Sequence, residues 1–368
     1  MLNRDKFILN SLNDLDLTPT MEKNARDKYA ALSKYLDEHG LKSDFHPQGS
    51  FFIGTTIRPY RDGKDQDYDL DILAILKRKK EDTDAKSVKN DVGNCIKESG
   101  IYSNKLEKED RNCWTLKYAE VSDGVGFSLD IVPSVDEDIL IKNDIIDSGV
   151  SYSNAEKTVA ITNKEHSEYN WLTSNPIGFG DWFLRISNQH LTNDMKSKQY
   201  NNLPYDIRMV YANAEKIPTY YYRSNLQRAV QFIKRHRDIY YDRIKLRNDK
   251  PSSILISALV ADSVKDKWIL SVSEIVNAFI IGVLNRSVSI MQDDKILNPV
   301  DLRENLIERY TDSKLNNMNK WIAELNNFMN IDDDRKFKQN IHNDINTRVF
   351  ADSFVTPTII TPTKPWKK

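Results

Sequence analysis

The sequence is poor in residues that staple or anchor a chain. Of its 368 residues only Cys95 and Cys113 are cysteines, and neither sits in a CxxC pair or near a histidine cluster. That argues against a disulfide framework and against a cysteine zinc site. The most apolar run, Ile275 to Leu284, is far too short to cross a bilayer and reads as a buried helix. The start, MLNRDKFILNSLNDLDL, is broken by charge and has no signal-peptide core, so the expected compartment is the cytoplasm, with no membrane partner. Charge of one sign is also missing. With 53 basic and 54 acidic residues the net charge is −1, which excludes a generally basic nucleic-acid binder but not a local basic cleft. No internal repeat and no long low-complexity linker is visible. What is present is a globular composition, 39% hydrophobic and 10% aromatic, in a chain long enough for two domains or one two-lobed unit.

The chain divides by pattern. Residues 1–150 read as a mixed α+β lobe preceded by helices, 151–350 as a helical lobe, and 351–368, with three prolines, as an extended tail. In the first lobe Thr20 is expected to cap a helix running to His39, with Ala25, Tyr29, Leu32 and Leu36 as its buried stripe. Strands are expected at Phe45–Gln48, Asp67–Leu76, Asn112–Tyr118 and Gly126–Val132, the last ended by Pro133, with a polar loop over Tyr60–Lys64. After Ile139 strand signals nearly vanish. Asn154–Trp171 has a helix-like tail. Helices are expected at Arg223–Tyr241, Ser252–Ala261, Val272–Leu284, Ser313–Met329 and Asp333–Val349. A further one is expected at Pro299–Tyr310, with Asn298 as its cap.

One stretch carries chemistry: HPQGSFFIGTTIRPYRDGKDQDYDLDILAIL. Residues two apart in a strand face the same way, so Asp67, Asp69 and Asp71 share a face and Tyr68, Leu70 and Ile72 the other. Carboxylates that close repel unless a cation lies between them, and hard oxygen ligands suit Mg²⁺ bound together with substrate phosphates. FSLDIVP repeats the alternation, with Ser128 and Asp130 opposite an apolar face of Phe127, Leu129 and Ile131. A solvated acidic edge strand is the bland alternative, although lysine is the commoner edge guard. An EF-hand loop fails because its glycine position, counted from Asp65, holds Leu70. Gly49-Ser50, between a strand and a helical turn, suits phosphate oxygens, and a P-loop is excluded by the missing GK[ST] ending.

These residues resemble the polymerase-β-type nucleotidyltransferase superfamily, whose pattern is a Gly-Ser turn, an hDxD strand and a third carboxylate on a later strand. QGSFFIGTTIRP, YDLDI and SLDIVP, then SNPIGFGDWF and LQRAVQFIKRHRDIYY followed by PSSILISAL, look like the bacterial cGAS/DncV-like nucleotidyltransferases of anti-phage cyclic-oligonucleotide signalling. The resemblance extends to about residue 290. It implies a small mixed sheet in a nucleotidyltransferase lobe, a helical oligoadenylate-synthase-like second lobe, and an active site in the cleft between them. Carried over by position, Asp69 and Asp71 match the metal-binding pair and Asp130 the third carboxylate, which also activates the attacking hydroxyl. Gly49 and Ser50 match the phosphate turn, Lys234 the lysine on the donor triphosphate, and Ser252 or Ser253 a serine with the same task. Ile254 stands where animal relatives place a base-stacking tyrosine. No zinc insertion is visible, so DNA sensing is not implied.

The implied reaction condenses nucleoside triphosphates into a cyclic di- or trinucleotide with release of pyrophosphate. It uses two Mg²⁺ ions, with Mn²⁺ as an alternative. The implied partners are NTP substrates, a downstream cyclic-nucleotide-sensing effector, and regulatory or conjugating proteins that could act on the tail Lys364-Pro365-Trp366-Lys367-Lys368. The alternatives are transfer of one nucleotide to a protein, an antibiotic or an RNA end, and a non-catalytic nucleotide-binding scaffold. Arg223, Arg228, Lys234, Arg235 and Arg237 form a basic helix expected to face partly into the cleft, or else a solvated face. Asn175, Phe179 and Trp182 either read a base or form a capped aromatic corner. Arg58 either meets phosphate or pairs with the acidic run. His46, His166 and His236 are read as structural.

Overall fold

A computed structural model describes residues 4–122, 125–192 and 223–346. The chain opens with α1 (Arg4–Asn13) and α2 (Pro19–Glu38). Thr18 caps α2, not Thr20: its side chain accepts from the Met21 N–H at 3.2 Å. Pro19 then takes the first helical position, where no N–H is needed. Next come β1 (Ser43–Gln48), the single turn α3 (Gly49–Ile53), β2 (Tyr60–Arg61), β3 (Lys64–Asp65) and β4 (Tyr68–Leu76). The segment expected as a loop is thus a small hairpin, turned by Asp62 and Gly63 at φ 52° and 81°. After α4 (Ala85–Lys97) follow β5 (Trp114–Ser122), β6 (Val125–Asp136), α5 (Ile139–Asp147) and α6 (Tyr152–Ala155).

Strands do not vanish after Ile139. β7 (Val159–Glu165) and β8 (Glu168–Ser174) form a hairpin where a helix-like tail was expected. Its turn uses His166 at φ 58°, a residue that gives little turn signal in sequence. The main sheet runs β1-β4-β6-β7-β8, with β5 also on β6, and therefore continues past residue 150. Only β4 and β6 are parallel. Pro133 lies inside β6 and does not end it. It falls between the last residue paired with β5, Ile131, and the first paired with β7, Ser134, where its missing N–H breaks no ladder on that side.

The remaining helices are α7 (Pro176–Gln189), α8 (Asn225–Arg243), α9 (Ser253–Asp262), α10 (Val272–Leu284), α11 (Asp312–Met329) and α12 (Asp334–Ile345). Between α10 and α11, β9 (Met291–Gln292), β10 (Lys295–Asn298) and β11 (Asp301–Asn305) replace the helix expected at Pro299–Tyr310. Asn298 does cap the chain, but as a turn: its Oδ1 accepts from the Val300 N–H at 3.1 Å. The tail from residue 347 onward lies outside the described residues. No described helix is long and apolar enough to cross a membrane.

Two large apolar clusters result. One joins α2 and α4 to the sheet; the other joins α1 to α7–α12. α3 belongs to both: Phe51 enters the sheet cluster, while Phe52 and Ile53 enter the helical one. Gly180 of α7 sits directly on the Phe52 ring, where an added Cβ would collide with it.

Candidate active site

β4 is built by alternation. Tyr68, Leu70 and Ile72 are buried, which leaves Asp69 and Asp71 on the opposite face. Because β6 runs parallel to β4, Asp130 stands opposite Asp71 and Ser128 opposite Asp69. The three carboxylates therefore share one patch of sheet. Ser128 Oγ donates to Asp69 Oδ1 at 2.5 Å. Thr115 of β5, the register partner of Asp130, donates from Oγ1 to Asp130 Oδ1 at 2.6 Å. Thr115 was absent from the sequence-based candidates, since only the strand register reveals it. Burial lifts the Asp71 carboxyl to about 7, with Asp130 and Asp69 adding to the rise and Lys234 opposing it. Burial also raises Asp130, against the Thr115 hydrogen bond and with a contribution from Asp69.

β1 brings the Gly-Ser turn onto these carboxylates. Gln48, its last residue, pairs with Asp71, so Gly49 follows directly over that side chain. Gly49 has φ 62° and no room for a Cβ, which would collide with Asp71 Oδ2. Only glycine satisfies both demands. The Ser50 hydroxyl accepts from Thr56 Oγ1 at 3.2 Å.

α8 forms the facing wall. It is rich in polar side chains and nevertheless almost wholly buried, and its contacts explain why. From the end of α3 to Arg58 the chain pairs with no strand; side chains of α8 and of Arg223 just before it take its carbonyls instead. Gln227 Nε2 donates to Ile53 O at 2.9 Å, Gln231 Nε2 to Thr56 O at 2.9 Å and Lys234 Nζ to Thr55 O at 3.0 Å. Arg223 Nε reaches Gly54 O at 3.1 Å and Arg235 Nη1 reaches Arg58 O at 3.2 Å. A side-chain ladder at helical spacing thus satisfies backbone that would otherwise be buried unpaired.

That ladder changes the reading of the basic helix. Arg223 pairs with Asp16 and Glu22, and Arg228 with Asp16. Arg235, 1% exposed, bonds Asp65 Oδ1 at 2.9 Å and Ile345 O at 3.0 Å. Arg237 bonds Asp238, Pro251 O and, at 3.3 Å, Ser253 Oγ. Lys234 is the residue of this set that lines the cleft, and burial drives its ammonium down to about 7, helped by Arg237. The helix is not a solvated face, and of its expected partial exposure to the cleft Lys234 carries the share while the arginines are spent on ion pairs and carbonyls.

Gly49, Ser50, Thr55, Lys234 and Ser253 line one hollow of ≈ 160 Å³, together with Asn175, Phe179, Ile254, Asn298 and Glu304. Ser252 does not line it; its Oγ accepts from the Leu255 N–H as the cap of α9. Of the serine pair, Ser253 faces the hollow. Two larger hollows, ≈ 330 and ≈ 320 Å³, lie in the helical half and touch neither the turn nor Lys234. Asn175 is spent on structure: Oδ1 accepts from Gly178 N–H at 2.9 Å and Nδ2 donates to Asn154 O at 2.7 Å. Trp182 packs against Phe179 at 5.6 Å between centroids. Arg58 pairs with Asp65, which resolves its two readings in favour of the acidic run. Asp67 accepts from the Gly126 N–H at 2.9 Å. His236 is buried, accepts from Trp321 Nε1 at 3.0 Å, and is held by burial near a pKa of about 3.

Among the described residues no three His, Cys, Asp or Glu side chains are already drawn into a metal cage. The donor chemistry fits a hard cation all the same. Asp69, Asp71 and Asp130 offer only oxygen, and a cation there would offset both the burial that chiefly raises the Asp71 carboxyl and the smaller repulsion from Asp130 and Asp69.

Residues 43–130, from β1 to the Asp130 position of β6, match the family described as cyclic GMP-AMP synthase DncV-like, nucleotidyltransferase domain. Over that span the chain carries a DncV-like nucleotidyltransferase domain. A c-di-GMP synthase of Roseivirga ehrenbergii is 29% identical to it over 324 residues, 86% of this chain and 75% of that one. The fold of this chain is similar to that of Bradyrhizobium diazoefficiens CD-NTase CdnG, solved in complex with GTP. The TM-score is 0.66 at 22% identity, over 95% of this chain and 98% of that chain. It is also similar to Vibrio cholerae DncV cyclic AMP-GMP synthase, with a TM-score of 0.56 at 14% identity, over 94% and 97%.

Proposed function

We propose that this nucleotidyltransferase joins two nucleoside triphosphates into a cyclic dinucleotide in the cleft between β4 and α8. The observation that carries the reading is the convergence of Asp71 and its register partner Asp130 with Gly49, which lines the same hollow as Lys234 and Ser253. A ribose hydroxyl of one nucleotide attacks the α-phosphorus of the other, the α–β phosphoanhydride bond breaks, and pyrophosphate leaves. A second transfer within the linear dinucleotide closes the ring. Asp69, Asp71 and Asp130 would hold two Mg²⁺ ions, which supply charge for the triphosphate and acidify the attacking hydroxyl.

The chain's own groups divide the remaining work. Asp130, steadied by Thr115, orients and accepts the proton of the attacking hydroxyl. Gly49 lets the turn lie against Asp71, so that the Ser50 N–H and hydroxyl can meet phosphate oxygens. Lys234, whose burial makes a charge costly unless an anion arrives, neutralises the β and γ phosphates. Arg237 holds the Ser253 hydroxyl toward the same hollow.

The c-di-GMP-making relative supports a cyclic product, and the GTP bound to CdnG supports a nucleoside triphosphate as substrate. A role for the product in anti-phage signalling, through an effector that senses it, rests on the family resemblance alone. The test is incubation with labelled NTPs and Mg²⁺. A small, phosphatase-resistant labelled product is expected; label on a macromolecule contradicts the reading.

A further inference from the structure

We propose that Glu304 selects guanine in the nucleotide cleft. This rests on the reading of that cleft as a nucleoside triphosphate site. Glu304 lies on β11, in the hairpin that the sequence pattern conceals, and it lines the same hollow as Gly49, Ser50 and Lys234. Its Oε2 accepts from Asn298 Nδ2 at 2.7 Å, and Asn298 is itself fixed by the 3.1 Å bond from the Val300 N–H. Its Oε1 has no partner among the described residues. The carboxylate is therefore gripped at one oxygen and presents the other, in a hollow that Ile254, 43% exposed, and Phe179 line with apolar surface.

An ionised carboxylate only accepts hydrogen bonds, so it suits an edge that offers donors side by side. Guanine has such an edge in N1–H and the N2 amino group. Adenine sets the lone pair of N1 beside its N6 amino group, and cytosine does the same with N3 and N4. Uracil places a single N–H between two carbonyls. Each of these three turns a lone pair toward a negative charge, which a site built to accept rejects strongly. The exposed apolar surface of Ile254 and the Phe179 ring can take the faces of a base, so that Glu304 meets its edge.

The test is equilibrium binding of GTP, ATP and ITP to the full chain, with Ca²⁺ in place of Mg²⁺ to hold back turnover. Wild type is expected to prefer GTP over ATP by at least about tenfold, and to bind ITP, which lacks the N2 amino group, about tenfold more weakly than GTP. Glu304→Gln keeps the length of the side chain and an oxygen for Asn298, but turns an amide donor toward the guanine donors. Its GTP-to-ATP preference should fall by about tenfold to a hundredfold, mainly through weaker GTP binding. An unchanged ratio overturns the proposal, including the case where both nucleotides weaken together, as they would if Glu304 held the ribose diol. ITP binding as tight as GTP overturns it without any variant, so a misfolded Glu304→Gln does not shelter it. Wild type that binds GTP and ATP equally defeats the guanine assignment alone. Wild type that binds neither defeats the triphosphate reading and this inference with it.

Discussion

The acidic strand and the basic helix face each other across the cleft, and both carry more charge than the chemistry uses. Of the run Asp65, Asp67, Asp69 and Asp71, Asp65 is taken by Arg58 and Arg235, and Asp67 caps the Gly126 N–H. Asp69 and Asp71 remain on the open face. Of Arg223, Arg228, Lys234, Arg235 and Arg237, the arginines are all engaged with carboxylates or main-chain carbonyls, and Lys234 is left to line the hollow. In each wall some charges build the cleft and others wait in it. Burial distinguishes them poorly, since Lys234 and Arg235 are both buried. Partners distinguish them better: the building charges are held in close ion pairs, whereas Asp71, crowded by Asp130 and Asp69, and Lys234, bonded to the Thr55 carbonyl, act on each other without a direct pair among the described residues.

The largest separation is expected from neighbouring residues on α8. Lys234→Met should lower pyrophosphate release by about a hundredfold or more with little change in melting temperature, because removal of a buried charge offsets the lost bond to the Thr55 carbonyl. Arg235→Met leaves Asp65 with Arg58 alone and the Arg58 and Ile345 carbonyls without their donor, and should destabilise the fold by about 3 kcal/mol, while the molecules that remain folded keep near-normal turnover. Chemical denaturation and a pyrophosphate assay on the two variants check this. Equal losses of stability and turnover in both would erase the distinction.

A smaller effect separates the two serines. Ser252→Ala removes the cap of α9 and should cost about 1 kcal/mol of stability with little change in KM for the triphosphate. Ser253→Ala should do the reverse, raising KM and sparing stability. The smallest effect is a slope with pH. Without divalent metal, the native chain holds a proton on Asp71 more tightly than the unfolded chain does, since the carboxyl rises from 3.8 to about 7. That contribution to stability is complete at low pH and is lost as pH climbs to about 7. The melting temperature of wild type, taken relative to Asp71→Asn, should fall across that window, and Mg²⁺ should flatten the trend. Parallel curves in metal-free buffer would remove Asp71 from the repelling cluster.

The sequence was legible where one residue type at one spacing had one explanation. Alternation gave β4 and β6 and put Asp69, Asp71 and Asp130 on open faces. Glycine between a strand and a helical turn marked Gly49. Lys234 came from the resemblance, and the register of α8 against segment 53–58 now accounts for its position. Three features were illegible for separate reasons. Asn298-Pro299 serves a helix cap and a turn equally well, which hid β10, β11 and with them Glu304. His166 turns the β7–β8 hairpin without a glycine or asparagine. Arg223 and the arginines of α8 read as a surface because nothing in their spacing tells of Asp16, Glu22 and Asp65, which are distant in sequence and meet them only in the fold.

The division between charges that build and charges that react is tested most directly by pyrophosphate release, measured beside thermal unfolding, for Asp71→Asn and Asp65→Asn under identical Mg²⁺ and NTP. Asp71→Asn should lose about a hundredfold or more of its release with its melting temperature intact. Asp65→Asn should melt earlier and still release pyrophosphate at close to the wild-type rate per folded molecule. Wild-type release from Asp71→Asn, or an inactive Asp65→Asn of undiminished stability, would contradict the account.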